Sequence, residues 1–370
     1  ADILEQKLYW VWLTKIQGLG PIKIKALLGH FEDAEKIWNA GFKELKKVSG
    51  IGIKLSKNII SAKDNFSFSG ERKKLKKSAI KLVTLKDKCY PKLLKEIYAP
   101  PPVLYYRGEL LDSIFPCISV VGTRSCTKYG RELAYDLSQK LAEKGFVVVS
   151  GLAQGVDTKA HYGALQSGMT YAILGSGFNH LYPADNKQLA AKISQQGAVI
   201  SSYYMDERPH KANFPARNRI ISGLSLGTIV IEAPNKSGAL ITANYSLQQG
   251  REVFAVPGDI KRKESKGTNK LIQAGAKLVC EIDDILEELV LDNFSLQLKR
   301  QKNTKNKVFV NELNQAQKDV YQVLTNKEQQ FEKILSNLRL EAKKLNSILS
   351  QLEIMGLIKK LPGKRFRITN

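Results

Sequence analysis

The chain has 370 residues and a formal net charge of +23, from 58 lysines and arginines against 35 aspartates and glutamates. Hydrophobic residues make up 43% of the sequence and charged residues 25%, which is typical of a folded globular protein and excludes wholesale disorder. No apolar run approaches the roughly 18 residues of a membrane-spanning helix, so we do not expect a membrane protein. The charge points to a polyanion, either nucleic acid or an anionic membrane surface. A generally basic, lysine-rich proteome would give the same excess.

The cysteines show neither disulfide nor metal-ligand spacing. Cys89, Cys117, Cys126 and Cys280 include no C-x-x-C pair, so we expect no disulfide framework, no zinc site and a reducing cytoplasm as the location. Residues 1–9 lack a basic stretch that leads into an apolar one, and a secretory signal is therefore not predicted.

The positive charge is distributed unevenly. Residues 1–70 carry +4, residues 71–116 carry +6, residues 117–290 carry +4 and residues 291–370 carry +9. The longest of these segments is nearly balanced, so its cations must act by placement, whereas the flanks act as general attractors of polyanions.

Residues 1–70 contain one phrase twice, at 16–28 and at 48–59, and each copy is a Gly-x-Gly turn followed by a helical pattern. Glycine permits the positive φ angles of a tight turn between helices, and the free N–H groups that follow can hold a phosphate. The repeat resembles a tandem helix-hairpin-helix (SAM-like) domain, which contacts the DNA backbone without reading sequence. A small helical bundle that serves only packing or protein contacts fits the pattern as well.

Residues 71–116 are predicted to be a basic linker and a lead-in to the central domain. Residues 71–80 fit a basic helix or a linker. Residues 90–108 are predicted to be extended, and the prolines at 100–102 exclude a helix there.

Residues 117–290 alternate between short β-branched runs and amphipathic helices. Seven strands are predicted, at residues 118–121, 146–150, 171–174, 198–201, 228–232, 253–256 and 277–280. The helices between them include residues 130–144, 184–196 and 237–249. Strands that are apolar along nearly their whole length indicate a mostly parallel sheet with helices on both faces. The central domain is therefore predicted to be a doubly wound α/β fold.

The C-terminal part has a different pattern. Residues 291–310 are polar and lysine-rich and are predicted to be a linker. Residues 311–370 then fit three helices and a hairpin with a Pro-Gly turn, at 311–324, 330–338, 342–356 and 357–368. This order predicts a winged-helix-like domain, whose partner is either DNA or protein.

Ligands of an open parallel sheet bind beyond the carboxyl ends of its strands, so the loops at those ends are the candidate site. They contain glycines, hydroxyl side chains and cations of the kind that hold phosphate. Arg124 stands where a dinucleotide-binding fingerprint would have glycine, which favours a guanidinium grip on the anion. The candidate ligand-binding residues are Gly122, Thr123, Arg124, Ser150, Gly151, Gly155, Lys211, Phe214, Arg217, Asn218, Ser237, Gly238 and Thr242.

The fourth of these loops interleaves cations with an aromatic residue. Phe214 lies between Lys211 and Arg217, an arrangement that suits single-stranded nucleic acid because cations neutralise phosphates while exposed bases stack on rings. A phenylalanine packed in the core, with the cations facing solvent, would give the same spacing.

The loops offer little catalytic chemistry. Asp157, near a helix start, fits a cap or dipole partner better than a general base, and His161 fits a structural histidine. Glu232 is the better catalytic candidate, yet no acid or nucleophile partner is visible for it. We therefore expect no catalytic residues, no metal and no cofactor.

Five phrases of the central domain occur in one order at residues 120–124, 150–161, 214–223, 232–243 and 256–258. In these phrases, and more weakly over residues 90–108, the sequence resembles the DNA-processing protein A family (DprA, also called Smf). The resemblance implies an extended Rossmann-like domain that binds single-stranded DNA and loads the RecA recombinase in natural transformation. It also implies a homodimer without established catalytic activity.

Individual positions carry the family motifs. The resemblance implies that Arg124 binds phosphate, that Lys211 supplies a cation and that Phe214 contacts a base, with Arg217 and Asn218 in the same motif. The flanking domains vary within the family, and the terminal hairpin at residues 357–368 is short.

The leading hypothesis is a non-enzymatic protein that protects incoming single-stranded DNA and loads RecA onto it. The alternative is a nucleotide-binding enzyme resembling nucleoside-monophosphate phosphoribohydrolases. Those enzymes are expected to show a proline, paired glycines, Gly-Thr and a glutamate after the strand, and residues 233–242 read Ala-Pro-Asn-Lys-Ser-Gly-Ala-Leu-Ile-Thr instead. A membrane-surface adaptor would need an amphipathic segment with a strong apolar face, and the sequence offers none, so no membrane partner is expected.

Overall fold

The computed structural model describes residues 3–110, 115–289, 313–324, 328–338, 340, 342–354, 357–361 and 365–368. The chain divides into two compact units, one up to Leu289 and one after it. The predicted linker at 291–310 lies outside the described residues.

The first unit begins with helices that contain both copies of the repeated phrase. They are α1 (Ile3–Lys15), α2 (Pro21–Phe31), α3 (Ala34–Asn39), α4 (Phe42–Leu45), α5 (Ile53–Asp64) and α6 (Phe68–Lys77). Gly18 and Gly50 have φ angles of +82° and +79° in the two turns, and Gly20 and Gly52 are the N-caps of α2 and α5. The matching geometry confirms the predicted tandem of helical hairpins. Helix α6 crosses the domain boundary predicted at residue 70.

Nine strands of the described chain form one sheet. They are β1 (Lys81–Thr84), β2 (Val103–Gly108), β3 (Cys117–Val121), β4 (Val147–Ser150), β5 (Thr170–Leu174), β6 (Ala198–Ser201), β7 (Gly227–Val230), β8 (Glu252–Ala255) and β9 (Lys277–Leu278). Their order is β1-β2-β6-β5-β4-β3-β7-β8-β9. Strands β3 to β9 pair in parallel, whereas β2 pairs antiparallel with both β1 and β6. The mostly parallel sheet is confirmed, and the two antiparallel strands lie in the segment predicted as a linker and lead-in.

Helices cover both faces of this sheet. They are α7 (Lys92–Glu96), α8 (Lys128–Glu143), α9 (Val156–Ser167), α10 (Lys187–Gln196), α11 (Asn213–Gly223), α12 (Gly238–Gln248), α13 (Lys266–Gln273) and α14 (Ile282–Leu289). Short 3₁₀ turns occur at Phe178–His180, Ala184–Asn186 and Lys263–Ser265. Helix α10 packs on one face while α11 and α12 pack on the other, which confirms the doubly wound arrangement.

The hydrophobic core of the sheet continues into the N-terminal helices. Successive residues of a strand point to opposite faces, so Leu82 and Tyr105 face the cluster that includes Trp12 of α1. Their neighbours Val83 and Leu104 face the second cluster, with α11 and α12. One face of the sheet and the helical segment therefore bury each other.

Within the described residues after 312, the second unit contains three helices and a small antiparallel sheet. Its elements are α15 (Gln315–Leu324), β10 (Gln329–Gln330), α16 (Phe331–Leu338), α17 (Ala342–Ile354), β11 (Ile358–Leu361) and β12 (Arg365–Ile368). The strand order is β10-β12-β11, around a core that includes Val320, Ile334, Leu345 and Phe366. This is the predicted winged-helix-like order, although the Pro-Gly turn of the hairpin lies outside the described residues. No helix in the described ranges is long and apolar enough to cross a membrane.

Candidate nucleic-acid interface

A cleft of about 310 Å³ opens at the carboxyl end of β3. Strand β3 lies between β4 and β7, so the chain leaves it toward one side of the sheet and later returns on the other. Such a switch point is where open α/β sheets bind ligands. Nine of the candidate residues line this cleft, namely Gly122, Thr123, Arg124, Phe214, Arg217, Asn218, Ser237, Gly238 and Thr242.

A cation and two rings meet at the mouth of the cleft. The guanidinium carbon of Arg124, an exposed residue, lies 5.5 Å from the centre of the Phe214 ring. The Phe214 ring is half-buried, and its centre lies 5.6 Å from that of Tyr182, which is 45% exposed. Phe214 is therefore placed to contact a ligand beside a cation, a geometry that suits a nucleotide base next to its phosphate.

The opposite wall is the N-terminus of α12. Ser237 caps this helix by accepting a hydrogen bond from the Ala239 N–H at 3.3 Å. The Asn218 amide donates to the Gly238 carbonyl at 3.2 Å and so ties α11 to the same turn. The exposed Lys236 also lines the cleft. The positive end of a helix dipole beside two cations favours an anion.

Arg217 borders the cleft, but its guanidinium group is turned into the protein. The residue is 5% exposed and donates from Nη1 to the carbonyls of Gly151 and Ile173. Burial lowers the pKa of Arg217 to about 10, and the nearby carboxylate of Asp157 opposes that shift. The structure thus places Arg217 as a brace between α11 and the ends of β4 and β5.

The other candidates lie outside the main cleft. Ser150 is fully buried and donates to the Val120 carbonyl at 2.6 Å. Gly151 borders a smaller recess that shares Arg124 and Phe214 with the cleft. Lys211 is exposed in the segment before α11.

Gly155 packs against the backbone of the loop that carries Arg124. Its φ is +81°, and a Cβ at this position would lie 2.4 Å from the carbonyl oxygen of Arg124. A side chain here would therefore displace the backbone that carries Arg124, which gives Gly155 a role in placing the cation.

The acid–base candidates are held by the fold. Glu232 is buried and accepts hydrogen bonds from the N–H and hydroxyl of Thr127 at 2.9 and 2.6 Å. Asp157 borders the cleft, but its Oδ2 accepts from the Gly151 N–H at 3.0 Å, and burial raises the pKa of its carboxyl. His161 is fully buried, and burial lowers its pKa to about 3. Glu232 and Asp157 therefore serve as internal partners of the loops, and His161 bonds Thr170 of β5.

The candidate set omitted two residues of the cleft region. Lys236 lies inside one of the family phrases, so its charge could have placed it in the set. Tyr182 lies in another loop, the one after β5, and its approach to Phe214 depends on how β5 and α11 lie in the fold. The sequence signal that could have identified Tyr182 is an aromatic residue in a polar loop at the carboxyl end of a strand.

The fold and the site together define a Rossmann-like α/β protein. Its cleft lies where the strand order reverses at β3, and cations and aromatic rings line it. The sequence model of the family "DNA recombination-mediator protein A" matches residues 81–290, and that of the "SAM-like Helix-hairpin-helix tandem" matches residues 13–62. The chain belongs to the DNA recombination-mediator protein A family, which confirms the resemblance to DprA and Smf.

Three relatives illustrate the extent of the likeness. Protein Smf of Synechocystis sp. is 35% identical over 98% of either chain. The X-ray structure of DprA from Streptococcus pneumoniae has a TM-score of 0.69 and 38% identity, over 76% of this chain and 98% of that one. A structure of Helicobacter pylori DprA, described as showing a single-stranded DNA binding mode, has a TM-score of 0.51 and 31% identity, over 57% of this chain and 96% of that one.

Proposed function

We propose that this chain binds single-stranded DNA in the cleft, without catalysis and without reading base sequence. The Arg124–Phe214–Tyr182 cluster beside the N-terminus of α12 carries the proposal. Arg124 and Lys236, beside the positive end of the α12 dipole, would hold phosphates. The two rings would stack on bases, which single strands expose and duplexes conceal. Lys211 would add a further phosphate contact from the exposed segment before α11.

The structural likeness to the H. pylori protein supports the choice of ligand. The internal hydrogen bonds of Glu232 and Asp157 support a binding role over hydrolysis, because neither carboxylate is free to transfer a proton without giving up partners in the fold.

We also propose that the chain protects incoming single-stranded DNA in the cytoplasm and, as a homodimer, loads RecA onto it during transformation and recombination. Support comes from membership of a recombination-mediator family. RecA-driven strand exchange on DNA coated with single-strand-binding protein tests the loading step, and stimulation by this chain is the expected result. Absence of stimulation at saturating protein would contradict it.

Replacing the two central residues of the cluster tests DNA binding. Arg124→Ala is expected to weaken binding of a fluorescent oligothymidylate about ten- to a hundredfold, since a charge-assisted contact is worth about 1.5–3 kcal/mol. Phe214→Ala should weaken it by the value of one stacked base, about 1–3 kcal/mol. The measurement is fluorescence anisotropy over a series of salt concentrations, in parallel with a duplex of the same length.

Salt dependence separates the two variants. Each phosphate contact on a single strand contributes a slope of about 0.7 in log affinity against log salt, so Arg124→Ala should flatten the slope while Phe214→Ala leaves it unchanged. Lys140→Ala is the matched control, because Lys140 is an exposed cation near the far end of α8. Equal affinity for both DNA forms, or equal losses in the Lys140 variant, would refute the proposal.

A further inference from the structure

A buried carboxylate in the helical segment reaches the loop that precedes α11. Glu71 of α6 has a side chain only 6% exposed, and its Oε1 accepts a hydrogen bond from Lys15 of α1 at 2.7 Å. Its Oε2 accepts from the hydroxyl of Tyr204 at 2.6 Å. One carboxylate therefore ties α1, α6 and the segment after β6 together.

Lys15 contacts both of the other groups, while the exposed Lys74 lies 3.8 Å from the same Oε1 of Glu71. The Nζ atom of Lys15 lies 4.2 Å from the centre of the Tyr204 ring, so the ammonium bonds the carboxylate and covers the ring face at once. Burial and the Glu71 contact raise the pKa of Tyr204, which keeps its phenol protonated as the donor. A buried carboxylate that loses such partners is strongly unfavourable, so the cluster has one preferred arrangement.

The neighbouring tyrosine carries the connection onward to the cleft. The Tyr203 hydroxyl donates to the carbonyl of Asn213, the first residue of α11, at 3.3 Å. The Tyr203 N–H is held by the Ser201 hydroxyl at 3.0 Å, at the end of β6. Two consecutive tyrosines thus link Glu71 on one side to the residue before Phe214 on the other.

Backbone hydrogen bonds complete the hold on this segment. The Asn179 N–H donates to the Met205 carbonyl at 2.9 Å, and the Gly177 N–H donates to the Glu207 carbonyl at 2.8 Å. Residues 204–207 are therefore pinned between the 3₁₀ turn after β5 and the helical segment. Lys211, which follows, is exposed, so its position depends on the pinned part before it and on α11 after it.

We propose that Glu71, Lys15 and Tyr204 form a clamp that positions residues 203–214 for single-stranded DNA, and that they act as positioning residues without touching the ligand. The inference rests on the proposed function, because the groups it positions are Lys211 and Phe214. Through this clamp, the N-terminal helices would contribute to DNA affinity without contacting DNA themselves.

The first test measures oligothymidylate affinity of the full chain by anisotropy. Tyr204→Phe keeps the ring and removes only the hydroxyl, and it is expected to weaken binding about three- to tenfold. Glu71→Gln keeps an acceptor for the phenol and should fall between that variant and wild type. The control is Tyr90→Phe, which removes another buried hydroxyl, bonded to the Pro101 carbonyl, and should bind like wild type.

A double-mutant cycle asks whether the clamp acts through the ring. If Tyr204→Phe displaces Phe214, its effect should shrink to less than twofold in a Phe214→Ala background, because the two losses are then coupled. Full additivity of the two losses would show that the clamp does not act through Phe214, and it would overturn the inference.

Hydrogen exchange without DNA tests the clamp independently of any binding. Backbone amides of residues 204–214 should exchange at least threefold faster in Tyr204→Phe than in wild type, while those of β3 to β5 keep their rates. Unchanged exchange, or unchanged affinity in Tyr204→Phe while Arg124→Ala loses affinity, would overturn the clamp and leave the proposed function standing. If the wild-type chain binds single-stranded and duplex DNA with equal affinity, the proposed function is overturned. The hydrogen-exchange rates of residues 204–214 would still decide whether the clamp exists.

Discussion

Two arginines of the cleft have opposite surroundings. The Arg124 guanidinium is exposed at the mouth, whereas that of Arg217 is enclosed and donates to the carbonyls of Gly151 and Ile173. An exposed guanidinium exchanges water for phosphate at little cost to the fold, and an enclosed one compensates buried acceptors that have no water. The two residues therefore differ in what they stabilise, the complex in one case and the protein in the other.

Arg217→Met separates these roles. The substitution leaves two buried carbonyls and the nearby Asp157 without their cation, so the free energy of unfolding should fall by about 3 kcal/mol. Urea unfolding at neutral pH, followed by tryptophan fluorescence, measures it. Arg124→Ala should stay within about 0.5 kcal/mol of wild type, and equal stability of Arg217→Met and wild type would contradict the assignment of Arg217 as a brace.

At the residue scale, the sequence predicts which loops form the site but not which way each side chain points. Arg217 and Asn218 are adjacent in one motif, yet one is buried against β4 and β5 and the other bonds the start of α12. The acceptors that decide this lie 66, 44 and 20 positions away. The positions of these acceptors depend on the order of the strands in the sheet. That order cannot be derived from the spacing of residues along the sequence.

At the element scale, a loop carboxylate fixes the start of α8. Glu232, after β7, bonds both the N–H and the hydroxyl of Thr127, and that hydroxyl in turn accepts from the Gly130 N–H at 3.1 Å. The N-terminal N–H groups of a helix lack partners within it. The cap thus comes partly from a strand end about a hundred residues away.

Glu232→Gln tests the cap. The amide NH₂ would face one of the two Thr127 donors, so one hydrogen bond is lost inside the protein and stability should drop by about 1–3 kcal/mol. Glu132→Gln is the matched control, because Glu132 lies on α8, is 61% exposed and pairs only at 3.7 Å with Lys128; its change should be within about 0.5 kcal/mol. The free energy of unfolding is measured by urea unfolding. Equal effects of the two substitutions would contradict the assignment of Glu232 as part of the α8 cap.

Strand prediction succeeded where the pattern was strongest. The alternation of apolar runs with helices predicts β3 to β9, and each strand lies within a few residues of its predicted range. The sequence does not predict β1, and it predicts β2 only as part of the extended stretch at residues 90–108. The first part of that stretch forms helix α7 instead. Strand β2 pairs instead with β6, whose residues are about 90 positions further along the chain.

At the scale of the whole molecule, burial of a histidine couples folding to pH. The Thr170 hydroxyl donates to the Val148 carbonyl at 2.7 Å, so Nδ1 of His161 carries the proton and donates to Thr170. Burial lowers the pKa of His161 from 6.5 to about 3. Between these values the unfolded chain binds a proton that the folded chain does not, so this residue's contribution to stability is present above pH 6.5 and is lost as the pH falls.

Comparison with His161→Asn isolates that contribution. From pH 7.5 to 5.0 wild type should lose about 2 kcal/mol more than the variant, at 1.36 kcal/mol per pKa unit. The buried carboxyl of Asp157, whose pKa is raised, titrates in the opposite sense in both proteins and cancels in the difference. The tryptophans, Trp10, Trp12 and Trp38, all lie in the first unit, so fluorescence follows its unfolding; parallel pH profiles would contradict the prediction.

The boundary of the matched family does not coincide with a boundary of the core. The recombination-mediator match begins at residue 81, yet Leu82 and Tyr105 are buried against the helices before it. A chain cut at residue 80 would uncover an apolar sheet face on one side and an apolar helical face on the other. Removing or replacing the helical segment therefore differs from removing a tethered domain, because the faces of β1 and β2 and the surroundings of Tyr204 would have to change with it.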